Sequence, residues 1–262
     1  MANPSRRSLL LSAFEQVGEV GILVYKMFDN LFRRPREHKS LIHQIAEVGA
    51  ASLPVVSLTA AFGGLVFGLQ TYMALHRYIG PGSEGYGGSI ISTGLAKELI
   101  PILVGLMVSG RVGSSMAAEI GTMKITEQVD ALFSLGANPV RYLVVPRTLA
   151  CLFMLPCLTL YGDFIGIGCG YFYNVVIEGV NRTVYVQNTL MYFEVWDVFS
   201  GLIKAAIFGV VIAIIGCWQG LKTEGGAEGV GRATTRTVVI ASILILILNF
   251  FLTRALPPTL RT

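Results

Sequence analysis

Four ionisable side chains lie inside long apolar stretches of this sequence. Lys97 and Glu98 interrupt the run ISTGLAKELIPILVGLMV, and Asp163 and Lys204 lie within two later apolar stretches. An unpaired charge in the middle of a bilayer is costly, so such residues face a partner, the protein interior or a wet cavity. Two interpretations stay open: a structural ion pair between Glu98 and Lys204, or a set of residues that lines a transport pathway.

The local geometry limits which of these charges can meet. Adjacent residues on a helix point about 100° apart, so Lys97 and Glu98 are not each other's natural partners. Glu98 lies roughly 14 Å from the nearer end of its apolar stretch and Lys204 roughly 9 Å from the end of its own, which are broadly similar depths. Pro101 removes the hydrogen bond to the carbonyl of Lys97, so we expect a kink there.

No catalytic or metal-binding pattern accompanies these charges. The chain contains no Gly-Lys pair, and therefore no GxxxxGK[ST] phosphate loop, and it has neither HExxH nor GxSxG. The three histidines form no ligand cluster, and the four cysteines lie in apolar runs without CxxC spacing. These absences disfavour an enzyme and predict neither metal nor cofactor in this chain. Transport is favoured, with an energy source in another protein.

The segment EIGTMKITEQVDAL, residues 119–132, is too polar to span a bilayer. Its pattern predicts a helix over 117–135, with Gly136 as a stop and Asn138-Pro139 as the start of the next helix. An amphipathic helix of this kind either lies against its own membrane domain or docks into a groove of a cytoplasmic partner. The polar side chains available for docking are Glu119, Lys124, Glu127, Gln128 and Asp130.

The composition is that of an integral membrane protein. Of 262 residues, 53% are hydrophobic and 14% are charged, and the mean hydropathy is +0.64. Soluble domains carry roughly a quarter charged residues. We predict an all-α fold in one domain over 1–262, with a transmembrane region over 48–256. Its five predicted spans are 48–75, 89–109, 148–176, 198–219 and 237–256.

An interfacial helix is predicted ahead of the spans, over about 8–34. Its apolar positions recur every three or four residues. They are Leu10, Phe14, Val17, Gly21, Val24, Phe28 and Leu31. A basic cluster follows it and indicates an anionic membrane surface. That cluster comprises Arg33, Arg34, Arg36 and Lys39.

Basic residues predict the orientation. They concentrate in the N-terminal region, in the 110–147 link and in the 220–236 link, and are sparse in the other links. The positive-inside rule therefore places the N-terminus and the 110–147 link in the cytoplasm.

Small residues at four-residue spacing predict close helix packing. Gly64 and Gly68 form one such pair, and Gly162, Gly166 and Gly170 form another series. Faces of this kind make a homodimer plausible.

The run AKELIPILVGLMVSGRVGSSMAAEIGTMKITEQVDALFSLGANPVRYLVVPR resembles the MlaE-type permease family, the membrane subunits of Mla-like lipid-transport ABC systems. GLQTYMAL, GLIKAAIF and GVGRATTRTVV are similar to that family too. The resemblance covers nearly the whole chain, from the N-terminal helix to the last span.

This resemblance implies a homodimeric, non-enzymatic permease in a bacterial inner membrane, moving phospholipid between the inner and outer membranes. It implies a cytoplasmic ABC ATPase dimer that holds ATP and Mg, a periplasmic MCE-domain protein and often a STAS-domain subunit, with no role for nucleic acid. The segment 119–132 matches the family's coupling helix, which rests on the ATPase.

The resemblance also implies a substrate pathway. Glu98 matches the family's intramembrane glutamate near the lipid cavity, Lys97 stands where a relative carries arginine, and Lys204 matches a family lysine. Apolar walls for acyl chains are inferred from position. They are Leu69, Tyr72, Met73, Leu99 and Leu103. The alternative is an ion-coupled secondary transporter or channel that uses Glu98, Asp163 and Lys204.

Overall fold

A computed structural model describes residues 4–31, 38–80 and 82–256, and within these ranges the chain is helical without strands. Five of its helices are long and apolar enough to cross a membrane, as predicted. Each begins before its predicted start, and the first four also extend beyond their predicted ends, because the helix continues past the residues at which hydropathy falls. The spans are Ser40–Tyr78, Glu84–Ile125, Val140–Ile177, Val195–Leu221 and Gly226–Ala255.

Several spans contain more than one helical segment. The first joins α2 to α3 through a 3-10 turn, and the second joins α4, α5 and α6 through two π-helical turns, Leu95–Leu99 and Ser109–Gly113. The described helices are α1 (Pro4–Leu31), α2 (His38–Gly49), α3 (Leu53–Tyr78), α4 (Gly87–Gly94), α5 (Ile100–Val108), α6 (Ser114–Ile125), α7 (Gln128–Ser134), α8 (Val145–Tyr171), α9 (Arg182–Tyr192), α10 (Val195–Leu221) and α11 (Gly226–Ala255).

Helices α8 and α10 form the centre of the bundle. They pack against each other, α8 also packs against α3, and α10 also packs against α6 and α11. Their contact is filled by fully buried side chains such as Leu155, Phe208 and Ile212. These two helices thus hold all five spans together.

The glycine faces predicted from the sequence pack within this chain. A Cβ atom on Gly64 would lie 2.1 Å from the carbonyl oxygen of Gly166, and one on Gly68 would lie 3.4 Å from that of Gly170. Small residues let α3 and α8 approach this closely. Because both faces are buried between α3 and α8, these glycines do not provide a surface for a second copy, and the homodimer stays a prediction.

The basic segments lie at one end of the bundle, which we call the basic end. Glu19 of α1 contacts Lys222, the residue after α10, with 2.6 Å between Oε2 and Nζ. Asn138 Nδ2 donates to Asn30 Oδ1 at 3.3 Å. The N-terminal helix and the 110–147 and 220–236 links therefore share an end, in agreement with the side that the basic residues predict for them.

Helix α1 packs on the protein through a face different from the predicted apolar one. Leu23, Met27 and Asn30 are buried, whereas Phe14 and Phe28 remain exposed. Most described positions of the predicted apolar face thus point away from the bundle, whereas Val24 is half-buried and packs against the core. Residues 32–37, with Arg33, Arg34 and Arg36, lie outside the described residues, as do the side chains of Leu10, Leu31 and Lys39.

The helix predicted over 117–135 is divided in two. Helix α6 ends at Ile125 and α7 begins at Gln128, because Glu127 adopts a left-handed conformation with φ of 59° that a right-handed helix cannot continue.

The predicted stop and restart beyond α7 are confirmed. Gly136 has φ of 73°, and hydrogen bonds from Ala137 N to Leu132 O and from Gly136 N to Phe133 O close the helix end. Asn138 Oδ1 then accepts a hydrogen bond from the backbone of Val140 at 3.0 Å.

Candidate functional site

Lys204 is the centre of a buried polar cluster between the second span, α10 and α11. Its side chain is 1% exposed, and Nζ donates to Glu98 Oε1 at 2.7 Å, to the carbonyl oxygen of Lys97 at 3.0 Å and to Thr253 Oγ1 at 2.8 Å. Three partners match the three hydrogens of an ammonium group. The Glu98–Lys204 ion pair that the sequence left open is therefore present.

Glu98 occupies the outer side of this cluster. Asn249 Nδ2 donates to its Oε2 at 3.1 Å, and the Thr253 hydroxyl lies 3.0 Å from its Oε1. The Glu98 side chain is nevertheless 33% exposed, whereas the Lys204 side chain is fully buried. The cluster thus presents a carboxylate, backed by a cation, to the surface of the chain.

Two features of the backbone place Lys204 here. Pro101 cannot donate a hydrogen bond to the carbonyl of Lys97, and the second span widens into a π-helical turn just before it, which is the form that the predicted irregularity takes. On α10, a Cβ atom on Gly201 would lie 2.1 Å from the carbonyl oxygen of Ala96. Glycine therefore lets α10 touch this turn, and Lys204 follows on the same face.

Lys97 does not pair with Glu98, as the angular argument predicted, and has an acidic partner of its own. Its Nζ donates to Asp197 Oδ1 at 3.3 Å, and Thr93 Oγ1 donates to Asp197 Oδ2 at 3.4 Å. Asp197 also caps the start of α10 by accepting from the backbone of Glu194. Sequence reasoning missed Asp197. Asp197 could have been predicted from its position in the first turn of a span, since the intramembrane Lys97 needs an acidic partner.

The predicted apolar wall lies partly beside this cluster. Leu99 and Leu103 belong to the same half-buried face of the second span as Glu98. A Cβ atom on Gly63 of α3 would lie 3.2 Å from Leu103 Cδ1, so α3 borders this face. The full half-exposed stripe, which we call the open face, comprises Glu98, Leu99, Ile102, Leu103, Leu106 and Met107.

The predicted residues of α3 lie toward the end of the bundle opposite the basic one. Leu69 and Tyr72 are half-buried and Met73 is exposed. The Tyr72 ring stacks on His76, with 5.9 Å between ring centroids. None of the three hydrogen-bonds to the Lys204 cluster among the described residues.

Asp163 does not belong to the Lys204 cluster. It is 4% exposed, and neither carboxylate oxygen has a hydrogen-bond partner among the residues that the structure describes. It lies instead in a cleft between α8 and α9. The three charges considered together for an ion-coupled transporter are thus split between two places.

At the basic end, most charges of the predicted coupling segment are paired within the chain. Arg147 of α8 is 4% exposed, and its Nη2 lies 2.7 Å from Glu119 Oε1, while Nη1 donates to the carbonyl of Leu143. Lys124 Nζ lies 2.9 Å from both carboxylate oxygens of Asp130, which ties α6 to α7 across the break. The segment is therefore fastened to α8 and to itself.

The surface left over on this segment is mixed in character. The side chains of Glu127 and Gln128 are exposed and have no hydrogen-bond partner among the described residues, and Phe133 and Leu135 are 64% and 82% exposed. Large apolar side chains beside free polar groups are typical of a surface that another protein covers.

The described residues contain no group of three His, Cys, Asp or Glu side chains that could hold a metal ion. The polar clusters above instead combine carboxylates with lysine, arginine, hydroxyl and amide groups. Such an arrangement can bind a polar group or hold helices together, and it offers no nucleophile with an adjacent base.

The family model described as Permease MlaE matches residues 41–255, which is most of the chain. The chain belongs to the MlaE permease family. With its five spans, it is accordingly a multi-pass membrane protein.

Relatives in this family come from bacteria and a plant. A probable ABC transporter permease protein of Rickettsia felis is 44% identical over 239 residues, covering 91% of each chain. A protein of the same description from Synechocystis is 40% identical over 248 residues, covering 95% of this chain and 93% of its own. The chloroplast protein trigalactosyldiacylglycerol 1 of Arabidopsis thaliana is 35% identical over 219 residues, covering 82% of this chain and 60% of its own.

Proposed function

We propose that this MlaE-family chain is the permease subunit of an ABC transporter that moves phospholipids between the inner and outer membranes of a bacterium. The carrying observation is the Lys204 cluster, which presents Glu98 on an open, otherwise apolar face of the second span. Two relatives are called ABC transporter permeases, and the plant relative bears the name of a diacylglycerol-based lipid.

The open face combines what a lipid needs. Glu98 and the neighbouring Lys97–Asp197 pair offer polar contacts to a head group, while Leu99 and Leu103 offer apolar contacts to acyl chains. Leu69, Tyr72 and Met73 extend the apolar surface along α3. A second copy of the chain placed against this face would enclose the pathway between two protomers.

Coupling to ATP is assigned to the basic end. An ATPase covers the exposed side chains of α7 and of the residues that flank its two ends, which are Glu127, Gln128, Phe133 and Leu135. The Lys124–Asp130 salt bridge links α6 to α7, so that the two helices move together. The Glu119–Arg147 salt bridge links α6 to α8, so that movement of α6 also displaces α8. ATP and Mg belong to the partner chain.

The same proposal gives the chain its orientation and its other partners. The N-terminus and basic end face the cytoplasm of the inner membrane, as the distribution of basic residues favours. The opposite end, at α9, then faces the periplasm, where an MCE-domain protein receives or delivers lipid. A STAS-domain subunit completes the assembly on the cytoplasmic side.

Reconstitution with the ATPase tests this function. We expect ATP-dependent transfer of a fluorescent phospholipid out of proteoliposomes, reduced at least tenfold by Glu98→Gln. Ile243→Ala, which alters an exposed side chain of α11 away from the cluster, is the matched control and keeps wild-type transfer. Transfer by the chain without its ATPase, driven by an ion gradient, would instead establish the secondary-transporter alternative.

Docking is tested separately by co-purification. We expect Phe133→Glu and Leu135→Glu to lose the ATPase, whereas Val195→Glu, an equally exposed position at the opposite end, retains it. Retention of the ATPase by both α7 variants would place the docking surface elsewhere.

A further inference from the structure

A cleft lies between α8, α9 and the start of α10, away from the Lys204 cluster. Its volume is about 470 Å³, within the range of roughly 300–1,000 Å³ that small-molecule sites occupy. Its surface is almost wholly apolar, and it shares no lining residue with the Lys204 cluster. The lining residues are Ser92, Leu160, Asp163, Phe164, Ile167, Gly168, Tyr171, Tyr185, Val186, Thr189, Leu190, Phe193 and Val198.

Three polar groups of this cleft lack hydrogen-bond partners. Both carboxylate oxygens of Asp163, the hydroxyl of Ser92 and the hydroxyl of Tyr185 are buried without a partner among the described residues. Such groups are almost always bonded in folded proteins, because burying them unbonded costs free energy. All three residues line one chamber, and their polar atoms lie behind its apolar surface, so a hydroxyl group that inserts between the wall side chains can serve them together.

The walls restrict the charge of that occupant. No lysine, arginine or histidine lines the cleft, so it offers no positive charge to a phosphate. Asp163 lies 14 residues before the end of its span at Ile177, or roughly 21 Å along a helix, which is the depth of lipid chains and not of head groups. A phospholipid head group therefore does not fit here.

The shape restricts the occupant further. Helix α9 packs on α4 at the end opposite the basic one, where Asn188 Nδ2 donates to the carbonyl of Gly85, and its side chains form one wall of the cleft. A thin, flexible chain enters from the side, where Phe164 and Leu190 are exposed.

We propose that this cleft binds an uncharged lipid alcohol, whose hydroxyl group donates a hydrogen bond to Asp163 while its hydrocarbon lies against the apolar walls. The hydroxyls of Ser92 and Tyr185 complete the hydrogen bonding of that group. The site is separate from the proposed phospholipid pathway and stands whether or not that pathway is correct. It gives the permease a place to sense a neutral membrane lipid.

Photolabelling of the intact protein in lipid nanodiscs tests this proposal. The probe is a diacylglycerol with a diazirine in one acyl chain. Its controls are the methyl ether of the same molecule, which cannot donate, and the phosphatidic acid with the same chains. We expect diacylglycerol to label residues 160–171 or 185–190 roughly tenfold more than the ether, since leaving one buried polar group without its hydrogen bond costs about a factor of ten in affinity.

Variants connect the label to the polar groups. Asp163→Leu should remove the preference for the alcohol over the ether, and Tyr185→Phe should reduce it. Ser57→Ala, which removes a hydroxyl of α3 outside the cleft, should leave it unchanged. If Asp163→Leu does not fold, the labelling by the three probes is compared between the wild-type chain and Tyr185→Phe, and this comparison still tests the proposal.

Three results would overturn the proposal. They are equal labelling by alcohol and ether, labelling by phosphatidic acid as strong as that by diacylglycerol, and labelling of the cleft no stronger than that of the exposed face of α11. The last result would mean that water or a protein segment occupies the chamber.

Discussion

Lys204 Nζ donates a hydrogen bond to the backbone carbonyl oxygen of Lys97, on a neighbouring helix, at 3.0 Å. This carbonyl is the one that Pro101 deprives of its usual helical donor. The same ammonium group neutralises Glu98. Lys204 therefore supplies the hydrogen bond that Pro101 cannot give to the Lys97 carbonyl, and it also neutralises the Glu98 carboxylate. Lys204 thus has a structural role, even where Glu98 also serves the proposed pathway.

Replacement of Lys204 by methionine should be strongly destabilising. The change leaves Glu98 without its cation and the Lys97 carbonyl without a donor, and breaking a buried pair from one side costs about 3–5 kcal/mol. Thermal unfolding of the purified protein in detergent measures this as a lower midpoint. The double variant Lys204→Met with Glu98→Gln should recover part of the loss, because no charge is then stranded. An equal or larger loss in the double variant would show that the ion pair is not the cause.

The two partners of the Glu119–Arg147 pair should respond unequally. Arg147 is 4% exposed and Glu119 is 48% exposed, so Glu119→Ala strands a buried guanidinium, whereas Arg147→Met leaves a carboxylate that water can reach. We expect Glu119→Ala to destabilise by about 3 kcal/mol and Arg147→Met by less. Unfolding midpoints of both variants and of the double variant give the comparison. The reverse order would contradict the burial that the structure shows.

Sequence reasoning succeeded where the relevant chemistry is local. The five spans follow from hydropathy, and the stop at Gly136 and the cap at Asn138 follow from the conformations that those residue types prefer. It missed Asp197 and the close approach at Gly201, because both depend on which helices become neighbours.

The break in the helix at Glu127 was also not predicted from the sequence. The apolar period continues across it, and glutamate has no preference for the left-handed conformation. The Lys124–Asp130 bridge across the break is a contact that spacing alone did not indicate.

Glu127→Gly should stabilise the α6–α7 corner. A left-handed conformation costs a residue with a Cβ atom roughly 1–2 kcal/mol and glycine much less, so we expect a gain of about 1 kcal/mol after the extra chain entropy of glycine. Hydrogen exchange of the α7 amides should slow accordingly. Ala131→Gly, inside α7, is the matched control and should speed exchange, because glycine within a helix is destabilising by roughly 0.5–1 kcal/mol. Faster exchange in both variants would argue against strain at Glu127.

Attachment of α1 should weaken in acid. Lys222 donates a hydrogen bond to Glu19 and holds the pKa of that carboxyl below its ordinary value of 4.5, with a further hydrogen bond from Trp218. A carboxyl whose pKa is lowered in the folded state contributes its full stabilisation above pH 4.5 and loses it as the pH falls toward the folded-state value. The protection factors of the α1 amides, which are exchange rates normalised to the intrinsic rate at each pH, should therefore fall below about pH 4.5 in the wild type. Glu19→Gln should exchange fast at pH 6 and show no such acid step, and an unchanged step in that variant would assign it to another group.

Gly64→Ala should separate α3 from α8. The added methyl group would lie 2.1 Å from the carbonyl oxygen of Gly166, a backbone atom that cannot rotate away, so the helices must move apart. Overpacking of this kind costs about 1–3 kcal/mol or more. Gly168→Ala on α8 is the matched control, since nothing lies within 4 Å of its added methyl group. We expect a clear fall in the unfolding midpoint for Gly64→Ala alone. A different result would be a Gly64→Ala protein whose dimer dissociates while its unfolding midpoint is unchanged. The lost contact would then lie between two copies of the chain, and this glycine face would be part of a dimer interface.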